Sequence, residues 1–205
     1  MIAAIVPAAG MSTRMGENKL LLTLRGKPLI VQAVDTLLES EVDEIIVVLG
    51  HEAEKVKEKL DGKKVTLVEN PNYREGMSAS IRAGLGAVPP QAGAIMIYLA
   101  DQPLLEPEDV NRLIRAFAEA REENKSIVVP FFRGQRGNPV ILDSSHKEAI
   151  LEVVGDVGCK RVIKRNPDKV LVVEMSTDHV IRDVDSIEDY KELMSGYQME
   201  SNKAW

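Results

Sequence analysis

The chain has 205 residues, 44% of them hydrophobic and 28% charged, with a formal net charge of −6. These are the proportions of a globular chain of one domain with a sizeable core, and the acidic balance argues against a general nucleic-acid binder, which carries a basic excess. The one cysteine, Cys159, leaves no disulfide framework within the chain and suits a reducing compartment.

No apolar run is long enough to span a bilayer, and no basic stretch with an apolar core precedes the first strand. Neither a membrane partner nor a secretory signal is expected, and the expected location is the cytoplasm.

Residues 1–6 are an apolar run, the pattern of a strand buried on both faces. The stretch from Pro7 to Lys19 then holds Ala8, Ala9, Gly10, Ser12, Arg14, Gly16 and Lys19. Small residues let backbone N–H groups approach an anion, and Arg14 and Lys19 add positive charge, so this loop has what a phosphate site at a strand's C-terminal end requires. It is not a P-loop, since no Gly-Lys-Ser/Thr closes it, and the G-x-G-x-x-G spacing of a dinucleotide site is missing.

Pro28 is placed to start a helix over 29–38, where Leu29, Ile30, Ala33, Val34, Leu37 and Leu38 recur at helical spacing. Residues 44–49 read as a second strand, 52–60 as a charged helix and 65–69 as a third strand. A turn-rich loop over 70–76 leads into a helix over 77–85. Residues 94–100 are the expected central strand and end at Asp101-Gln102-Pro103. An amphipathic helix over 107–124 and a strand over 126–130 follow. The repeated Arg-Gly of residues 133–137 predicts a hairpin-like loop before a short strand over 140–142. Helices over 144–154 and 159–165 and late strands over 170–174 and 179–183 come next. A closing helix over 186–194 is signalled by Ser186 with Asp189 three positions on. Residues 195–205 are polar and expected to fray beyond a single domain of residues 1–194. Strand and helix alternate with short links, which predicts an α/β fold with a parallel, doubly wound sheet.

Three groups of residues have chemistry to offer. Asp101 lies just past the most apolar strand, at the sheet edge where open α/β sheets bind ligands, and reads as a metal ligand or a turn aspartate. Asp183 and Asp185 precede the closing helix, where an acid also favours the helix dipole. Ser78 sits in a first helical turn, facing a ligand or capping the helix. His51, His146 and His179 show no metal-ligand spacing and read as surface residues, and no Gly-x-Ser-x-Gly elbow is present.

The loop Ala8-Ala9-Gly10-x-Ser12-x-Arg14-Met15-Gly16-x-x-Lys19 resembles the signature of the nucleotidyltransferases with a MobA-like fold, and the resemblance runs through the final helix. It implies a Rossmann-like three-layer sandwich with a mostly parallel central sheet, as in nucleotide-diphospho-sugar transferases, with this loop around the phosphates of a nucleoside triphosphate. It implies Mg²⁺ as cofactor, held by Asp101 and by Asp185, whose place next to Ser186 matches the family pattern better than that of Asp183. The stretch Asn70-Pro71-x-Tyr73-x-x-Gly76-Met77-Ser78-x-Ser80 resembles the base and ribose contacts of the cytidylyltransferase branch.

The implied nucleotide-binding set is therefore Ala8, Ala9, Gly10, Ser12, Arg14, Lys19, Asn70, Gly76, Ser78 and Ser80, with Lys19, Arg14 and Asp101 acting on the phosphates. The stretches around Arg136-Gly137 and Asp156 resemble that branch's acceptor side. The branch is that of the molybdenum cofactor cytidylyltransferases, in which CTP and molybdopterin give the cytosine dinucleotide cofactor and pyrophosphate. Transient contact with a molybdenum enzyme is a further implied partner. Ala9 favours CTP, because the guanylyl branch usually has a second glycine there. The alternatives are another cytidylyl- or sugar-1-phosphate transferase of this fold, or a non-catalytic cofactor-binding accessory protein.

Overall fold

The computed structural model describes residues 1–13, 15–155 and 157–203, with residues 196–203 as backbone. The chain opens with β1 (Ile2–Ala8), buried at every position but Pro7. A short hairpin, β2 (Thr23–Leu24) and β3 (Lys27–Pro28), follows the first loop. Pro28 then caps α1 (Leu29–Leu38), as its fixed φ favours. Two parallel strands, β4 (Glu44–Leu49) and, after α2 (Ala53–Lys59), β5 (Thr66–Glu69), extend the sheet on one side of β1. The next helix, α3 (Met77–Ala87), crosses back, so that β6 (Ala94–Ile97) pairs parallel with β1 on its other side.

Beyond α4 (Pro107–Ala120) and β7 (Ile127–Phe132), the chain reverses. Arg133 and Gly134 have φ of +49° and +80°, the two positive values a type I′ hairpin turn needs, and they connect β7 to β8 (Gln135–Arg136). The following β9 (Val140–Asp143) inserts antiparallel between β6 and β7. Helices α5 (Lys147–Leu151) and α6 (Lys160–Arg165), the parallel β10 (Val170–Glu174) and α7 (Ile187–Lys203) complete the elements. The sheet order is β5-β4-β1-β6-β9-β7-β10, mixed but mostly parallel, with helices on both faces.

Alternation along β1 builds both core layers. Ala4, Val6 and Ala8 face Ile30, Val34 and Leu37 of α1 and Val110, Leu113 and Phe117 of α4. Ala3 and Ile5 face Ile81 and Leu85 of α3. Each fully buried Ile or Leu stabilises the fold by about 1.5–3 kcal/mol. Gly84 lets α3 sit close on the sheet, since a Cβ there would lie 2.5 Å from Ile5 Cγ2 and 3.0 Å from Val48 Cγ2. Among the described residues no helix is long and apolar enough to cross a membrane.

Two local expectations are corrected. Residues 179–183 do not form a strand; Asp178–Ile181 is a 3-10 turn. No ladder forms there: Val180 O accepts from Asn138 N at 2.9 Å and from the Gln102 side chain at 2.9 Å, while the Val180 side chain is fully buried. The closing helix does not end at Met194 but continues to Lys203. Gly196 is no barrier to it, because an interior glycine costs a helix only about 1 kcal/mol.

Candidate active site

β1 has β4 on one side and β6 on the other, and the chain switches direction across the sheet between them. In open α/β sheets ligands bind in the crevice at such a switch point, beyond the strands' C-terminal ends. Here the loop after β1 and Asp101 after β6 flank that crevice, and a cavity of about 490 Å³ opens between them. Ala9, Gly10, Ser12, Lys19, Gly76, Ser80, Asp101 and Asp185 line it. A side chain at Gly10 would meet nothing within 4 Å, so the loop's backbone stands clear at the cavity wall.

The first loop is held from within. Ser12 takes a left-handed φ of +49° and accepts from Met15 N through its carbonyl at 2.9 Å. Its hydroxyl accepts from Lys19 N at 3.1 Å. Asn18 is buried, and its Oδ1 accepts from Leu20 N at 3.1 Å, capping the short turn Lys19–Leu21. These bonds fix the base of Lys19. Its Nζ then reaches across the crevice, donating to Asp101 Oδ2 at 2.6 Å, Val184 O at 2.9 Å and Asp185 Oδ1 at 2.9 Å. Burial works to lower the Lys19 pKa, but Asp101 and Asp185 outweigh it and hold the ammonium above its usual range.

Asp185 is placed by the cap of α7. Asp189 Oδ2 accepts from Asp185 N at 3.0 Å and from Ser186 N at 2.7 Å, while Ser186 Oγ accepts from Asp189 N at 3.1 Å. Asp183 points elsewhere and accepts from Gln102 Nε2, which also donates to Val180 O at 2.9 Å. Partial burial of its carboxyl and the charge of Asp101 push Asp183 up to about 6.

The opposite wall comes from the segment before α3. Asn70 is buried and donates from Nδ2 to Ser80 Oγ at 3.2 Å, while its Oδ1 accepts from Asn72 N at 3.0 Å. That places Tyr73 on the cavity, with the Arg74 guanidinium 5.6 Å from its ring centroid. Gly50 makes this wall possible. A Cβ there would lie 2.6 Å from Ala9 Cβ and 2.7 Å from Tyr73 Cβ, so the two walls can close only on a glycine. The sequence reading missed Gly50; its one signal is a glycine ending the second strand.

The remaining expected residues lie around or away from the cavity. Ala8 is buried beneath the loop, and Asn70 and Ser78 stand behind the lining. Ser78 N donates to Gly155 O at 3.0 Å, which brings Gly155 against the start of α3. Arg136 and Gly137 do not line the cavity; Gly137 packs on Val180, and burial pulls the Arg136 guanidinium down from its usual range. Arg14 and Asp156 lie outside the described residues. Cys159 is buried, and burial pushes its thiol up to about 12. The histidines are partly buried rather than surface residues, and His179 Nδ1 sits 2.8 Å from Asp109 Oδ2.

The acidic pair fits a hard cation. Asp101 Oδ1 is buried with no hydrogen-bond partner, an orphaned acceptor beside a site already holding positive charge. Among the described residues no three His, Cys, Asp or Glu side chains gather as a full ligand set. Two carboxylates bordering the cavity match an ion that completes its shell from water and substrate phosphates.

The sequence pattern of the MobA-like NTP transferase domain matches residues 4–170. Nicotine blue oxidoreductase from Paenarthrobacter nicotinovorans is 29% identical over 198 residues, covering 94% of this chain and 96% of that protein. The chain also matches the bifunctional protein GlmU of Symbiobacterium thermophilum, at 33% identity over 58% of this chain, but spans 26% of that protein's length. A solved nucleotidyl transferase from Methanothermobacter superposes with a TM-score of 0.80 at 26% identity, covering 98% of this chain and 99% of that one. Rv0371c from Mycobacterium tuberculosis H37Rv, solved as a complex with manganese, superposes with a TM-score of 0.75 at 28% identity, covering 95% and 98%.

Proposed function

The chain belongs to the MobA-like NTP transferase family and is a nucleotidyltransferase, and on that premise we propose that it transfers the cytidylyl group of CTP to molybdopterin with Mg²⁺, releasing pyrophosphate. The observation that carries this reading is the Lys19 ammonium held between Asp101 and Asp185 on the wall of a cavity edged by a glycine loop. A protein that only stored a cofactor would have no use for a lysine and two carboxylates arranged around the place of a triphosphate.

In this reading Gly10 and its neighbours present backbone N–H groups to the phosphates, with Ser12 holding the loop and Lys19 and Arg14 supplying charge. Gly76 and Ser80 face the nucleoside, with Asn70 and Ser78 supporting them from behind. Asp101 and Asp185 would hold Mg²⁺, which when bound neutralises the triphosphate and assists departure of pyrophosphate. A phosphate monoester oxygen of the acceptor attacks the α-phosphorus, and the bond to the bridging oxygen breaks. The attacking oxygen is already anionic at neutral pH, so no general base is required. This agrees with a cavity that no histidine lines. Arg136, Gly137 and Asp156 are assigned to the acceptor side by the same reading.

Ala9 supports CTP over GTP, because a methyl group stands where a second glycine would leave room. The relative named as an oxidoreductase matches nearly the whole chain in sequence; the Lys19–Asp101–Asp185 set of this chain favours phosphoryl chemistry instead. The test is twofold. The thermal midpoint is measured with each nucleoside triphosphate and Mg²⁺, and pyrophosphate is assayed with molybdopterin and with sugar 1-phosphates as acceptors. CTP should give the largest upward shift, and release should require molybdopterin. Release with a sugar phosphate alone would move the acceptor assignment. Tight molybdopterin binding with no release under any pairing would replace the enzyme by a cofactor carrier.

A further inference from the structure

We propose that Lys19 occupies the divalent cation's own seat, so that the metal enters only when a triphosphate draws the lysine away. This rests on the nucleotidyl-transfer reading above and concerns how its site is loaded. The ammonium nitrogen touches two carboxylate oxygens, Asp101 Oδ2 and Asp185 Oδ1, and one backbone carbonyl, Val184 O, at 2.6, 2.9 and 2.9 Å. Hard oxygens converging on one point are what Mg²⁺ or Mn²⁺ takes as ligands. The Val184 carbonyl is a ligand that counting acidic side chains does not find.

The seat is built before any ion arrives. Val184 N donates to Asp101 O at 2.8 Å, which ties the segment after β6 to the segment before α7. The cap of α7 fixes the Asp185 backbone through Asp189. The other oxygen of the same carboxylate, Asp101 Oδ1, is buried and unpartnered.

Two cations cannot share this seat. Lys19 is largely withdrawn from water, its side chain 18% exposed, so repulsion between an ammonium and a divalent ion there is poorly screened. The lysine must leave, and it gives up three oxygen partners to do so. Phosphate oxygens in the cavity offer equivalent partners, because Lys19 lines the same cavity as Gly10 and Ser12. Metal affinity should therefore be weak without nucleotide and strong with it. Lys19 is then a placeholder in the empty site and a phosphate ligand in the loaded one. Removing this cation should strengthen metal binding when no nucleotide is present.

The experiment measures free Mn²⁺ by its paramagnetic resonance signal during titration, without nucleotide and with CTP, for the wild type, Lys19→Ala and Lys19→Ala/Asp185→Asn. Without nucleotide, Lys19→Ala should bind Mn²⁺ at least about tenfold more tightly than the wild type, and the added Asp185→Asn should remove most of that gain. CTP should raise wild-type affinity toward that of Lys19→Ala. Equal or weaker Mn²⁺ binding by Lys19→Ala without nucleotide overturns the proposal. Circular dichroism melts confirm that the variants fold; should Lys19→Ala fail, Lys19→Met keeps the aliphatic stem and the same prediction. If the gain appears but no nucleoside triphosphate alters wild-type affinity, the shared seat stands and the nucleotidyl-transfer reading fails.

Discussion

Ser186 and Asp189 cap α7 reciprocally, Ser186 N donating to Asp189 Oδ2 at 2.7 Å and Asp189 N to Ser186 Oγ at 3.1 Å. The same Asp189 oxygen accepts from Asp185 N at 3.0 Å, so the cap that starts the helix also orients a site carboxylate. Ser186→Ala removes the hydroxyl half of this box and should cost about 1 kcal/mol of stability. Because the Asp185 contact remains, the variant should bind metal and nucleotide nearly as the wild type does. Asp189→Ala removes both roles and should lower stability and metal affinity together. Denaturant melts paired with Mn²⁺ titration separate the two outcomes.

Gly84 on α3 is predicted to resist substitution for a purely steric reason. A methyl group there would stand 2.5 Å from Ile5 Cγ2 at the centre of the sheet, and neither partner can move without disturbing a packed layer. Gly84→Ala gains helix propensity, yet overpacking of this kind costs about 1–3 kcal/mol and should prevail. Urea unfolding is the measurement, and a stabilised variant would show that the helix shifts outward freely.

Asp35 on α1 pairs with Lys63 and with Lys27, the latter at 2.8 Å. Burial works to raise its pKa, but hydrogen bonds and charge from the two lysines outweigh it and hold the carboxyl below its ordinary value of 3.8. A folded-state pKa below the unfolded one stabilises the fold above the unfolded value, and that stabilisation is lost as pH falls through the folded value. Asp35→Asn should thus cost about 0.2–1 kcal/mol at neutral pH, the modest worth of partly exposed pairs. The deficit should shrink as acid is added below the ordinary carboxylate range. Thermal melts of both proteins from neutral to acid pH test the sign.

The opening loop and Asp101 could be placed from sequence because each follows an apolar run, and parallel strands put such ends on one edge. That Lys19 would meet Asp185, 166 positions away, could not be read, because it depends on how the last helix returns over the sheet. The short apolar pair Val180-Ile181 misled for a related reason: Val180 is buried by tertiary packing, not by a ladder. The partly buried histidines were hidden likewise, since the Asp109 that meets His179 belongs to the cap of a distant helix. Gly50 carries no motif, and its role exists only where two loops close on each other.

The most direct test of the account is pyrophosphate release from CTP and molybdopterin with Mg²⁺, compared between the wild type and Asp101→Ala. Asp101 offers one oxygen to Lys19 and holds the other, Oδ1, buried without a partner. Release by the wild type that requires Mg²⁺ and falls at least about 100-fold in a folded Asp101→Ala protein is the predicted result. Undiminished release by that variant would contradict the assignment of Asp101 and, with it, the site described here.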